Sequence, residues 1–228
     1  MRRDLRSDLG SIAASYATCA ACRDLGVADD PRRREYGLLA RAVCPEKVRV
    51  LFIAESAPAL NQRGRHSYFY LPEDDAGSQD QSSLFWAVAE VLELGKACGT
   101  DHAAAKSNPA TWKTRLLTEF SSRRLWLLDS AKCAVNGLAE GRKRDSAVKR
   151  CADAWLRREL DLIEPEHVVL IKTNVFRELK PLLVGWGFGE RILNDRAIPH
   201  PGSGHQLEFR DLLGAVVRAH PSLFKEVV

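Results

Sequence analysis

The residues whose type and spacing best suit chemistry are four of the six cysteines in this 228-residue chain. Cys19 and Cys22 form a C-x-x-C, "CAAC". Cys133 closes the stretch "LWLLDSAKC", and Cys151 begins "CADAWLRREL" after 17 intervening residues. Four thiolates are what a [4Fe–4S] cluster needs, and zinc accepts the same four. Spacing alone leaves cluster, zinc and coincidence open. Cys44 and Cys98 stand apart from the set and read as packed thiols.

Other groups with chemical potential sit where apolar runs end. Asp129 follows "LWLL"; taken alone, a carboxylate there turns the chain or caps the next element. "VRVLFI", Val48 to Ile53, empties into the polar stretch "AESAPALNQRGRHSYFYLPEDDAGSQ". Lys172 follows "HVVLI", and His200 lies in "IPHPGSGHQ".

These positions converge only if the runs are strands of one sheet. "VRVLFI" and "HVVLI" are short, rich in β-branched residues and without a polar face, as suits a parallel sheet covered on both sides. Between the runs, apolar periodicity predicts helices over about Leu5–Thr18, Arg34–Val43, Ser82–Leu94, Thr111–Ser121, Ser146–Ile163, Thr173–Leu183 and Leu207–His220. A short strand is expected near Arg196–Ile198. Alternating strand and helix predicts an α/β fold: a three-layer α/β/α sandwich with a mainly parallel central sheet, in one domain spanning 1–228. In such sheets sites form outside the carboxyl ends of the strands, where Asp129, Lys172, His200 and the loop after Ile53 all lie.

With 45% hydrophobic and 28% charged residues, the chain can bury one substantial core. No apolar run is long enough to cross a membrane, and "MRRDLRSDLG" turns polar and acidic at once. The expectation is a soluble cytoplasmic protein with no membrane partner and no obligate protein partner. That setting favours ligation over disulfides for closely spaced cysteines. A net charge of +4, with basic residues grouped at Arg32–Arg34, "NQRGRH", "SSRR" and "GRKR", hints at a polyanionic partner.

"CAAC" followed by "RDL", a strand ending "AKC", and "RCADAWLRRELDLIEPEHVVLI" together resemble the iron–sulfur branch of the uracil-DNA glycosylase superfamily, the families numbered four and five. The resemblance runs over most of the chain. It implies a structural [4Fe–4S] cluster on Cys19, Cys22, Cys133 and Cys151, and a monofunctional DNA glycosylase that flips a nucleotide and hydrolyses its N-glycosidic bond. Such an enzyme reads the base edge, stacks on its face, stabilises the departing base and the sugar cation, and places a water.

The family's first motif resembles Ala54, Glu55, Ser56, Ala57, Pro58 and Ala59, which makes Glu55 the group for water or sugar-cation stabilisation and puts Ser56 beside the base. Glu73, Asp74 and Asp75 are a second source of that acid. Phe69 corresponds to the stacking aromatic, with Tyr68 or Tyr70 in its place if the loop register differs. Arg63, Arg65 and His66 suit phosphates. The loop at His200 resembles the family's H-P-S; His200 would donate to the base carbonyl, and Ser203 would contact DNA although Gly202 replaces the family serine. His205, Gln206 or Leu207 would fill the gap left by the flipped nucleotide. At Lys172 the family usually has a small residue, often glycine; a lysine there could reach DNA.

In uracil-reading relatives the residue four before the K-C cysteine is asparagine, which donates to uracil O4 and accepts from N3–H. Here it is Asp129. An ionised carboxylate only accepts, whereas a protonated one can donate to cytosine N3 and accept from N4. A glycosylase for a modified cytosine, such as one in phage or other foreign DNA, is therefore expected. Uracil repair, deaminated purines and a non-catalytic cluster protein that binds DNA are the alternatives.

Overall fold

A computed structural model describes residues 4–27, 33–56, 68–71, 82–135, 138 and 141–225. At its centre is a parallel sheet in which β1 (Val50–Ser56) lies between β2 (Leu125–Ala131) and β3 (His167–Leu170). β1 pairs along both edges, and Val50, Leu51, Phe52 and Ile53 are fully buried, so none of these four positions could hold a polar residue. Beyond β3, the expected short strand is reduced to two parallel bridges, Val168 with Ile192 and Ile171 with Ile198.

The helices are α1 (Leu5–Ser15), α2 (Arg33–Ala42), α3 (Ser83–Val91), α4 (Leu94–Ala97), α5 (His102–Ser107), α6 (Pro109–Ser122), α7 (Gly141–Cys151), α8 (Arg157–Ile163), α9 (Thr173–Gly185) and α10 (Gln206–Ala219). α6 and α7 pack on β2, α9 on β1, and α1 on α2. The architecture is α/β with a small parallel sheet, as the alternation of elements predicts.

Two stretches differ from the sequence reading. The connection between Leu94 and Thr111 carries α4 and α5; Asp101 caps α5 by accepting from Ala104 N at 2.7 Å. The helix expected from Ser146 starts at Gly141, within a basic stretch that reads as loop because it lacks apolar residues. Partners on α9 and α7 supply what composition lacks: Lys149 pairs with Glu178 at 2.6 Å, and Asp145 pairs with Arg177. Cys151 therefore ends α7. A π-turn, Ala152–Leu156, comes directly after it and leads into α8.

Candidate functional site

Cys19, Cys22, Cys133 and Cys151 line one cavity of about 100 Å³ with Arg23, Val27, Arg33, Ala131, Lys132 and Val135. The short turn after α1 presents Cys19 and Cys22, the exit of β2 presents Cys133, and the end of α7 presents Cys151. Three of the sulfurs accept hydrogen bonds. Trp155 Nε1 donates to Cys19 at 3.0 Å, Arg33 to Cys133 at 3.4 Å, and the Lys132 backbone N–H to Cys151 at 3.1 Å. The Cys22 thiol donates to the Ala147 carbonyl at 3.6 Å. Burial, with neighbouring thiols adding to it, pushes Cys22 up to about 11 and Cys151 up to about 12.

Among the described residues no three His, Cys, Asp or Glu close on a single metal ion. Four thiols around one cavity, with N–H groups aimed at three of the sulfurs, are a donor set for zinc or an iron–sulfur cluster alike. Cys44 is fully buried and its thiol donates to the Pro45 carbonyl, so it is a packed thiol as expected. Cys98 lies half-buried beside the Arg115 carbonyl.

Lys132 ties this cavity to Asp129. Its ammonium donates to the Asp129 carbonyl at 2.6 Å and pairs with Glu159 at 2.6 Å, while Tyr16 donates its hydroxyl to Glu159. Lys132 and Glu159 are 7% and 3% exposed, so this is an ion pair in the interior. Such pairs orient neighbours more reliably than they stabilise folds. Asp129 is 9% exposed. Burial pushes its carboxyl up to about 7, with Lys132 opposing and Glu159 and Glu55 adding. It lines a cavity of about 30 Å³ with Tyr16, Tyr36, Tyr68, Lys132 and Glu159. That volume is water-sized.

A second constellation gathers at the ends of β1 and β3. Glu55, 4% exposed, pairs with Lys172 through one carboxylate oxygen and accepts from Asn174 Nδ2 through the other. Among the described residues Asn174 Oδ1, which is buried, finds no hydrogen-bond donor. Ser130 on β2 donates to the Glu55 carbonyl at 2.7 Å, which holds the strand end. Lys172 has φ 89° and ψ 140°, a region that favours glycine, and is anchored there by its N–H to the Ile198 carbonyl at 2.6 Å.

His200 faces the same group. Its Nδ1 accepts from the Gly202 N–H at 3.0 Å, so the neutral ring carries its proton on Nε2. Burial, then the Lys172 charge, push His200 down to about 4, against the opposing pull of Glu55. Near neutral pH it is an uncharged donor. Gly202 is needed there: a Cβ would lie 2.9 Å from Ser83 Oγ and 3.0 Å from the His200 ring.

The aromatic triplet divides its tasks. Phe69 is 3% exposed and packs against Phe85 and Phe120 in the core. Tyr70 is stapled to β2, donating to the Leu127 carbonyl at 2.9 Å and accepting from the Leu127 N–H at 2.7 Å. Tyr68 is the ring beside Asp129; it lies 4.4 Å from the Tyr36 ring and donates to the Tyr36 carbonyl. The expected stacking residue Phe69 is thus placed in the core, and the register alternative Tyr68 lines the cavity.

Ser56 ends β1 opposite Ala131. His205 is exposed and lies 3.1 Å from Glu208 at the start of α10. Leu207 is 73% exposed. Arg63, Arg65, His66, Glu73, Asp74 and Asp75, and the Ser203 side chain, lie outside the described residues. Asn174, Lys132 and Glu159 are site residues that sequence reading missed. Asn174 and Glu159 occupy ordinary helix positions, and Lys132 is the unremarkable middle of "AKC"; nothing local marks them.

No protein-family model matches this chain, and no curated protein matches it. No helix among the described residues is long and apolar enough to cross a membrane.

Proposed function

We propose that the protein is a DNA glycosylase with a uracil-DNA glycosylase-like fold, which flips a modified cytosine from DNA and hydrolyses its N-glycosidic bond, leaving an abasic site. The observation that carries this reading is the convergence of the buried Glu55–Lys172–Asn174 group and a neutral His200 at the strand ends. A buried carboxylate suits a sugar cation on one side of the scissile bond. An Nε2–H donor suits the carbonyl of the leaving base on the other.

Asp129 supports the choice of base. A carboxyl whose proton leaves near pH 7 can donate to N3 of a cytosine-like base while its second oxygen accepts from N4. Uracil offers N3–H and O4, the reverse pattern, which a protonated Asp129 meets only with its proton on the other carboxyl oxygen; a site that fixes the proton toward N3 disfavours uracil. This water-sized cavity must widen to admit a pyrimidine, and Tyr68, which lines it beside Asp129, offers the stacking face. Exposed Leu207 suits the space vacated in the duplex.

Four cysteines lining one cavity, with N–H groups directed at three of the sulfurs, support a [4Fe–4S] cluster there. When bound, the cluster supplies a cross-link among distant segments, not redox chemistry. Around it, Arg33 and Trp155 hold Cys133 and Cys19, and Lys132 relays the fixed position to Asp129.

The test is a panel of single- and double-stranded oligonucleotides carrying uracil, cytosine, hypoxanthine or 5-substituted cytosines, scored for alkali-labile abasic sites. Release of a 5-substituted cytosine is expected. Tight DNA binding with no abasic site on any substrate overturns the enzyme reading, and release of uracil at repair-like rates overturns the choice of base.

A further inference from the structure

Lys172 is a lysine held where the backbone favours glycine, and its ammonium meets a buried carboxylate that Asn174 holds in place. Positive φ in this region is strained for a side-chain-bearing residue, and such outliers persist where the surroundings over-determine them, often at functional sites. A surface lysine in search of a phosphate would not need this position. A nucleophile and a base within hydrogen-bond reach, with the base oriented by a third group, is the arrangement that activates an amine toward a carbonyl. Lys172, Glu55 and Asn174 fill those three places. The Lys172 side chain is 29% exposed, so the amine is reachable from outside, whereas Glu55 at 4% is shielded.

From this geometry we infer that Lys172 is an amine nucleophile that forms an imine with the aldehyde of an abasic deoxyribose and cleaves the strand by β-elimination. The inference rests on the glycosylase reading for the origin of that aldehyde, and goes beyond simple hydrolysis of the base. Glu55 takes a proton from the Lys172 ammonium, and the amine lone pair adds to C1′ of the ring-opened sugar. That proton and a second one from the attached nitrogen pass to the C1′ oxygen, which leaves as water and gives the protonated imine. Glu55, again a carboxylate, takes a C2′ proton, and the C3′–O bond breaks, with the 3′ phosphate departing as the 5′-phosphorylated end of the downstream strand. Hydrolysis of the unsaturated imine restores Lys172. No oxidant or reductant is consumed. His200, uncharged and adjacent, adds no second positive charge against the iminium.

The experiment uses the full-length protein and a duplex oligonucleotide that already contains one abasic deoxyribose, with sodium cyanoborohydride to reduce the imine to a stable amine. A covalent protein–DNA adduct is expected, with the modified peptide containing Lys172, and strand cleavage in the absence of reductant. The decisive variant is Lys172→Gly, which suits the backbone at φ 89° and so retains the fold; it should lose the adduct by at least tenfold. An adduct as abundant in Lys172→Gly as in the native protein, an adduct mapped to another lysine, or no adduct at all overturns the inference.

Because the abasic site is supplied ready-made, the two readings fail separately. Base release from the modified-cytosine panel without an adduct removes this inference and leaves the hydrolase. An adduct at Lys172 without base release from any substrate leaves this inference and removes the hydrolase.

Discussion

Lys132 donates its backbone N–H to the Cys151 thiol at 3.1 Å, so the residue whose ammonium holds the Asp129 carbonyl also touches the four-cysteine cavity. One residue thereby links the proposed metal centre to the proposed reader of the base. Whatever shifts Cys151 shifts the end of β2.

Replacing a cavity cysteine should therefore cost more than metal. Cys151→Ala should lose iron and acid-labile sulfide together with the visible absorption of thiolate-bound iron, and base release should fall with them. Cys44→Ser is the control: its thiol is fully buried away from the cavity, so it should cost about 1–3 kcal/mol of stability and leave iron content unchanged. Equal iron in the Cys151→Ala and native proteins would count against a cluster at this site.

Asp129→Asn should move activity toward uracil, with release of an amino-bearing base falling by at least about tenfold. The native protein should also lose activity on amino-bearing bases as pH rises through about 7, because the donated proton is then gone. A flat profile across that range would show that the acid is not donating.

Stability should respond to the same group. Between its ordinary value of 3.8 and about 7, native Asp129 keeps a proton that the unfolded chain has released. Its contribution is thus full below 3.8 and lost as pH rises through about 7, with a slope of up to about 1.4 kcal/mol per pH unit. His200 acts oppositely: its folded value is near 4 against an ordinary 6.5, so its contribution is full above 6.5 and lost as pH falls through about 4. The two slopes offset one another in the native protein. Denaturation midpoints of Asp129→Asn between pH 4 and 6.5 should expose the His200 slope, with stability falling on acidification.

His200→Gln should lower the rate of base release by about 10²–10³ with little change in DNA affinity. Gly202→Ala should reproduce much of that loss without touching the ring chemically, since its Cβ would crowd His200 and Ser83. Single-turnover rates on the preferred substrate separate these effects from binding.

Tyr70→Phe and Tyr68→Leu should part company. Removing the Tyr70 hydroxyl leaves Leu127 N–H and C=O without their partner and should cost about 1–3 kcal/mol of stability while base release persists. Tyr68→Leu should mainly weaken capture of the flipped base. Thermal melts and steady-state rates, measured side by side, decide whether the assignment of tasks is right.

Much of this arrangement was legible in the chain because the signals were local. β1 declares itself through four consecutive apolar residues that are all buried, and the four cysteines that line one cavity stand out by spacing together with the family resemblance. What was not legible depended on contacts distant in sequence. α7 begins at Gly141 in a stretch with no apolar stripe, because its ion pairs lie on α9. Phe69 could not be told from Tyr68 because adjacent rings of a loop look alike until the core claims one of them. In sequence Lys172 is a cation after a strand at a position where a small residue is usual; its φ and its partnership with Glu55 come only from the fold.

The π-turn after Cys151 sets the angular phase of every later residue in that helix. A π-turn amounts to one extra residue in an α-helix, where each residue advances the face by about 100°. Before the turn, α7 aims Cys151 at the thiol cavity; after it, α8 aims Glu159 at Tyr16 and Lys132. Forcing all five residues Ala152–Leu156 into a plain α-helix would keep both ends helical, yet rotate Glu159 by about 100° away from Lys132. The wide turn itself therefore keeps the thiols and the acid network in register.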